Sequence, residues 1–123
     1  MSSESILIKD GSTWTAGADL SSKQFYAVKQ TAAGQVNVAT TGDSIVGVLL
    51  NKPTSGLPCE IALFGTVKVI CGSSGMTAGD TLEVDSSSKF TTQTTGVNPV
   101  GMAIDTGVSG DIVRILLRPV TFA

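Results

Sequence analysis

Thr66-Val67-Lys68-Val69-Ile70-Cys71 places Val67, Val69 and Cys71 on one side of an extended chain and Thr66, Lys68 and Ile70 on the other. Successive strand side chains point to opposite faces, so apolar residues recurring with period two mark a half-buried β-strand. Thr81-Leu82-Glu83-Val84-Asp85 follows the same rule. Leu82 and Val84 face the core there, and Glu83 and Asp85 form a solvated face. No window carries the i, i+3, i+4, i+7 apolar recurrence of a helix. Further strands are expected over residues 6–9, 25–29, 35–39, 45–50, 59–64, 100–104 and 112–118. Turn clusters such as Ala32-Ala33-Gly34, Thr41-Gly42-Asp43, Thr54-Ser55-Gly56 and Val108-Ser109-Gly110 separate them. The chain reads as all-β.

Working outward, Ile45-Val46-Gly47-Val48-Leu49-Leu50 aligns with Pro99-Val100-Gly101-Met102-Ala103-Ile104, and the match continues without a gap over 45–63 and 99–117. Identities fall at Val46/Val100, Gly47/Gly101, Ser55/Ser109, Gly56/Gly110, Ile61/Ile115 and Leu63/Leu117. A second similarity sets Thr15-Ala16-Gly17-Ala18-Asp19-Leu20 against Thr77-Ala78-Gly79-Asp80-Thr81-Leu82, at a different spacing that implies a longer insertion in one half. The repeated unit is a strand, a Ser-Gly turn able to supply a positive φ, and a return strand. Used twice, it builds one closed or nearly closed antiparallel sheet, a β-barrel of two related hairpin halves. Thr77-Ala78-Gly79-Asp80 reads as a tight turn whose Asp accepts backbone N–H groups before Leu82 enters the core. Residues 1–14 precede a body at 15–123. Their apolar run Ile6-Leu7-Ile8 has two readings, the first strand of the barrel or an arm laid on a neighbouring subunit.

At 123 residues the chain suits one domain with one core, without metals or staples. It is 41% hydrophobic with a mean hydropathy of +0.30, yet only 15% charged. The surface is therefore built largely from Ser, Thr, Gly and Ala, which cost little to desolvate in a broad protein contact. The net charge is -2 and the eight Lys and Arg residues are scattered singly, so no electrostatic footprint for nucleic acid is present. Apolar runs are far shorter than the ~20 residues of a membrane helix, and the start lacks a basic segment followed by an apolar one. A soluble protein made without an export signal, with no membrane partner, is expected.

Histidine is absent. That removes the usual general base, the proton switch near neutral pH and the commonest metal ligand, so no catalytic residue, metal or cofactor is expected. Gly72-Ser73-Ser74-Gly75 lacks the Gly-Lys-Ser/Thr of a phosphate loop and reads as a turn. Asp105 and Asp111 flank the second Ser-Gly turn, but their counterparts are Asn51 and Leu57, which implies no paired site. Cys59 and Cys71 sit on apolar strand faces as small buried hydrophobes. A hairpin at Phe64-Gly65-Thr66 would bring them together, whereas a long strand bent at Gly65 would keep them apart. Ile112, Arg114, Leu116 and Arg118 share one strand face, which suits a protein interface or a barrel exterior whose Arg stems cover apolar neighbours.

The ordered series Thr13-Trp14-Thr15-Ala16-Gly17-Ala18-Asp19-Leu20, Val46-Gly47-Val48-Leu49-Leu50-Asn51, Phe64-Gly65-Thr66-Val67-Lys68-Val69, Met76-Thr77-Ala78-Gly79-Asp80, Val100-Gly101-Met102-Ala103 and Leu116-Leu117-Arg118-Pro119 spans residues 13–119. It resembles the small head decoration, or capsid cement, proteins of tailed bacteriophages; the two cysteines are not part of that pattern. The resemblance implies a compact β-barrel or β-tulip body with an extended N-terminal arm. It also implies binding to the major capsid protein on the outside of an expanded capsid, self-association often as trimers, and no catalytic residues. Synthesis in the host cytoplasm and residence on the virion's outer surface follow. The interface candidates are Ile6, Leu7, Ile8 and Trp14 at the N-terminal end and Ile112, Arg114, Leu116 and Arg118 at the last strand. A carbohydrate-recognising or tail-tip binding module is the alternative. One Trp and one Tyr are few for stacking on sugars, although an exposed Trp14 would favour it.

Overall fold

The structure, a computed structural model, describes residues 5–10, 14–94 and 99–118. Among them ten strands form one mostly antiparallel sheet: β1 (Ser5–Asp10), β2 (Thr15–Ala16), β3 (Ala27–Ala32), β4 (Gln35–Val38), β5 (Gly47–Leu49), β6 (Ile61–Ile70), β7 (Thr81–Val84), β8 (Phe90–Thr92), β9 (Gly101–Ala103) and β10 (Ile112–Leu117). The order across the sheet is β2-β4-β3-β5-β6-β10-β9-β7-β8, and β1 pairs with β6 outside that path. The strands expected at 59–64 and 66–71 are one ten-residue strand, β6, which passes through Gly65 at φ 109°. Along its second part Val67 and Val69 are buried while Lys68 is exposed, as period two requires. Cys59 and Cys71 consequently lie beyond opposite ends of β6, both buried and free. β2 and β8 escape sequence reading because segments of two and three residues are too short to display a period.

One expected exposure is reversed. Glu83 is buried together with Leu82 and Val84, since β7 lies between β8 and β9 and the Thr94 hydroxyl donates to the Glu83 carboxylate (3.5 Å). Asp85 turns the chain instead: its carboxylate accepts the amides of Ser87 (2.8 Å) and Lys89 (3.0 Å).

Strand pairing repeats with a constant shift of 54 residues, from Ala27 to Thr81 and from Ala62 to Leu116 alike. Ala27 pairs Val48 and Val48 pairs Ala62; correspondingly, Thr81 pairs Met102 and Met102 pairs Leu116. The hairpin Val28↔Val38, Gln30↔Val36 recurs as Leu82↔Thr92, Val84↔Phe90. Upstream, Ala16 donates to the Leu57 carbonyl (2.9 Å) and Gly17 to that of Val36 (2.8 Å), while Cys71 donates to Asp111 (2.8 Å) and Gly72 to Phe90 (2.6 Å). The first strand of the second half is thus the far end of β6. Thr77-Ala78-Gly79-Asp80 corresponds to Lys23-Gln24-Phe25-Tyr26, with Tyr26 donating to Lys23 as Asp80 does to Thr77, and not to the similar-looking segment that starts at Thr15. Its Asp80 carboxylate accepts the Thr77 amide at 3.0 Å.

The shift also explains two strained residues. Phe25 (φ 72°) stands where the second half has Gly79 (φ 93°), and Ser88 (φ 68°) where the first half has Gly34 (φ 69°). An L residue in this region costs about 1–2 kcal/mol. At Ser88 the hydroxyl offsets the cost by donating to the Ala39 carbonyl, and its carbonyl accepts from the Ala27 amide at 2.9 Å, tying the halves together.

Each half has an inner face that forms a core. In the first half Val28, Val36, Leu49, Cys59 and Ile61 pack with Ala16 and Leu20, and Trp14 covers part of them. In the second half the corresponding Leu82, Phe90, Ala103, Val113 and Ile115 merge with Ala27, Ile45, Val48 and Ala62 from the opposite face of the first half. The halves are therefore stacked front to back. Gly47 and Gly101 make the same close approach in both. A Cβ at 47 would stand 2.0 Å from the Ala62 carbonyl oxygen, and one at 101 would stand 2.1 Å from that of Leu116. Backbone cannot yield as a flexible side-chain end does, so Gly47→Ala and Gly101→Ala should each lower the unfolding free energy by about 2–3 kcal/mol. Urea unfolding curves with unchanged midpoints would refute this packing.

Candidate functional site

The inner residues of β10, Val113, Ile115 and Leu117, are buried; its outer residues Ile112, Arg114 and Leu116 are not. Register carries that outer face across three strands. Leu116 stands between Met102 of β9 and Thr66 of β6, Arg114 opposite Lys68, and Ile112 opposite Ile70. Ile112 is 58% exposed and Met102 43%. Arg118 follows β10, exposed, with its amide donating to the Val100 carbonyl at 2.9 Å. A concavity of about 220 Å³ lies between Thr81, Pro99, Gly101, Met102, Leu116 and Arg118. The structure thus brings Ile112, Arg114, Leu116 and Arg118 to one side and adds Met102, which sequence reading missed. Met102 occupies the same place in its half as fully buried Val48, so local pattern gives no sign of its exposure.

Trp14 belongs elsewhere. It is half-buried against the first half's core, and its carbonyl accepts the Cys59 amide at 2.9 Å. It is therefore no open stacking platform for a sugar. Ile6, Leu7 and Ile8 lie in β1, whose backbone pairs with β6 through Ser5↔Thr66, Ile6↔Gly65 and Ile8↔Phe64; their side chains, with residues 1–4 and 11–13, fall outside the described residues.

Arg114 is held within the chain. Its Nε donates to Asp105 Oδ2 (3.0 Å) and a terminal guanidinium nitrogen to Oδ1 (2.8 Å), while its backbone amide also reaches Oδ2 (3.0 Å). The side-chain bonds, and then the amide, hold the Asp105 carboxyl below the ordinary carboxylate range. In the first half Asn51 does the same backbone work, accepting the Glu60 amide at 3.0 Å. Asp43 is lowered likewise, first by the Lys29 side chain at 2.9 Å and then by the Thr40 amide. Burial pushes the Cys59 thiol up, and burial together with the charges of Asp111 and Asp85 pushes up that of Cys71. Among the described residues no three His, Cys, Asp or Glu side chains are grouped to hold a metal ion, and no helix is long and apolar enough to cross a membrane. The arrangement offers contact surface on which the Arg114 charge is held by internal pairing.

Two outcomes follow from these groups. A carboxyl whose folded pKa is depressed contributes stability above its unfolded pKa of about 4, and that contribution disappears as pH falls through the folded pKa. Asp105→Asn should be less stable than the parent at pH 7 and lose less stability between pH 5 and pH 2; parallel acid-unfolding curves would count against the pairing. Raised thiol pKa values and burial also predict that iodoacetamide labels Cys59 and Cys71 slowly in the native protein and rapidly in denaturant. Fast native labelling, read by intact mass, would contradict the burial.

The family profile of phage cement proteins matches residues 8–119. No curated protein matches the sequence. Among solved structures, the N base of the head fiber gp8.5 of bacteriophage phi29 superposes with a TM-score of 0.70 at 15% identity, covering 94% of this chain and 99% of that one. At that identity the likeness speaks for a shared fold. With the family match running from within β1 to the residue after Arg118, the chain belongs to the phage cement protein family.

Proposed function

We propose that this capsid decoration protein binds the major capsid protein on the outer surface of an expanded phage capsid, as a self-associated, non-catalytic clamp that stabilises the shell. The observation that carries the reading is the open outer face of β9, β10 and β6, where Ile112, Leu116 and Met102 meet water in a chain with few charges. Desolvating such a face costs little and gains apolar contact. Several chains acting together, as in a trimer, would multiply modest contacts through effective concentration. A sequence without histidine is in keeping with a role that needs no proton transfer.

The N-terminal residues through β1 serve in this reading as an arm, whereas Trp14, packed on the first half's core, belongs to the body. β1 pairs with its own β6, but the ladder is interrupted twice, between Ile6 and Ile8 and between Ile8 and Lys9. An interrupted strand is suited to exchange onto a neighbour's sheet edge, where its backbone groups would again be satisfied. The full chain should co-sediment with expanded capsids and not with procapsids, and a chain lacking residues 1–10 should fold yet bind at least several-fold more weakly. Equal sedimentation with both shell forms would remove the preference for the expanded shell. Undiminished binding and self-association by the truncated chain would remove the arm, and its failure to fold would make β1 a core strand.

A further inference from the structure

The contact that joins the two halves has two ends, and the described residues leave both partly uncovered. In the first half Ala27, Ile45, Val48 and Ala62 are buried beneath the second half's core. Their counterparts under the 54-residue shift are Thr81, Pro99, Met102 and Leu116, and these line the open 220 Å³ concavity. At the other end the relation is inverted. Val84, Val100 and Leu117 of the second half are buried where the first half docks, whereas the corresponding Gln30, Val46 and Leu63 are exposed or half-buried. Among the described residues the second half therefore shows an open docking back, and the first half a front that Leu20 and Trp14 close over Val28, Leu49 and Ile61 but not over its edge at Gln30, Val46 and Leu63.

We propose that a second copy of this chain fills the concavity, its Gln30, Val46 and Leu63 face packing on Thr81, Met102 and Leu116 in the same front-to-back manner that joins the halves. This rests on the self-association in the proposed function and names its surface. A second copy suits the site because the first half's front is the repeat-related counterpart of the second half's front, which already receives an equivalent back inside every chain. A contact between two different patches is heterologous, so repetition closes a ring where the rotation permits. Arg118 lies at the rim of the concavity, where the first half has Phe64, and leaves the docking face polar at its edge.

Head-to-tail pairing has a specific complementation test. Met102→Arg spoils the back and leaves the front; Gln30→Arg spoils the front and leaves the back. Both positions are exposed, so the fold should persist, checked by unchanged far-UV circular dichroism and a cooperative melt; Leu116→Glu and Val46→Glu form a second pair. In sedimentation velocity each variant alone should be monomeric, with association weakened about a hundredfold or more by an unpaired charge in the contact. An equimolar mixture should form dimers and nothing larger, because one good front meets one good back. Wild-type protein that stays monomeric across micromolar concentrations would overturn the self-association reading and this surface with it. Wild-type oligomers that neither variant disturbs, or that only one disturbs, or a mixture that fails to pair, would overturn this surface alone. Intact oligomers with lost capsid binding in Met102→Arg would assign the concavity to the shell protein instead.

Discussion

Two ~50-residue β units of this kind are each too small to bury a core adequately, because surface dominates volume at that size. Here the shortage is met by laying the first half's Ala27, Val48 and Ala62 row against the second half's inner face, a row of small residues that lets the two halves of the sheet approach closely. Gly47 and Gly101 extend the same economy of space, each bringing a strand within a Cβ's reach of the neighbouring carbonyl. Fusing the far end of β6 into the second half makes the two cores covalently continuous. Where that stacking stops, at the second half's own Met102 and Leu116, the open outer face begins.

Duplication leaves the halves alike in backbone and different in chemistry. Turn geometry is retained even where the residue opposes it, as Phe25 and Ser88 show by holding positive φ values that glycine holds in the other copy. Such conformations persist where surrounding structure over-determines them, and at Ser88 the bonds to Ala27 and Ala39 identify what does so. The same backbone amide is capped by Asn51 in one half and by Asp105 in the other. Only the aspartate adds a charge pair, and that pair holds the Arg114 cation within the chain.

Period two was legible in β6 and β10, and with it which residues face the core. Gly47 and Gly101 announced the repeated hairpin because close backbone approach tolerates nothing larger. The rest was hidden for physical reasons. Thr-Ala-Gly occurs at Thr15 and at Thr77 through shared turn chemistry, while the true counterpart of Gly79 is Phe25, so residue similarity pointed to the wrong segment. Glu83 belongs to the same alternation as a solvated strand yet is buried by β8, β9 and Thr94, neighbours that lie 8 to 20 positions along the chain. Val48 and Met102 share sequence context and pairing but have opposite burial, since burial there depends on whether another half lies on top.

The candidate surface was legible in part for the same reason. Ile112, Arg114 and Leu116 are outward by period two alone, but their roles differ according to partners that sequence spacing does not reveal. Arg114 is bonded inward to Asp105, Leu116 is flanked by Met102, and Trp14 covers a separate core. A surface composed this way gains little from charge and depends on shape and apolar contact, which are short-ranged and sensitive to register. A rigid duplicated sheet suits that demand, because the backbone bonds that repeat 54 residues apart hold both faces in fixed relation. Rigidity in the free chain reduces the ordering cost of any association, so in the clamp proposed above small apolar contacts made several times over would hold a shell without any one of them being strong.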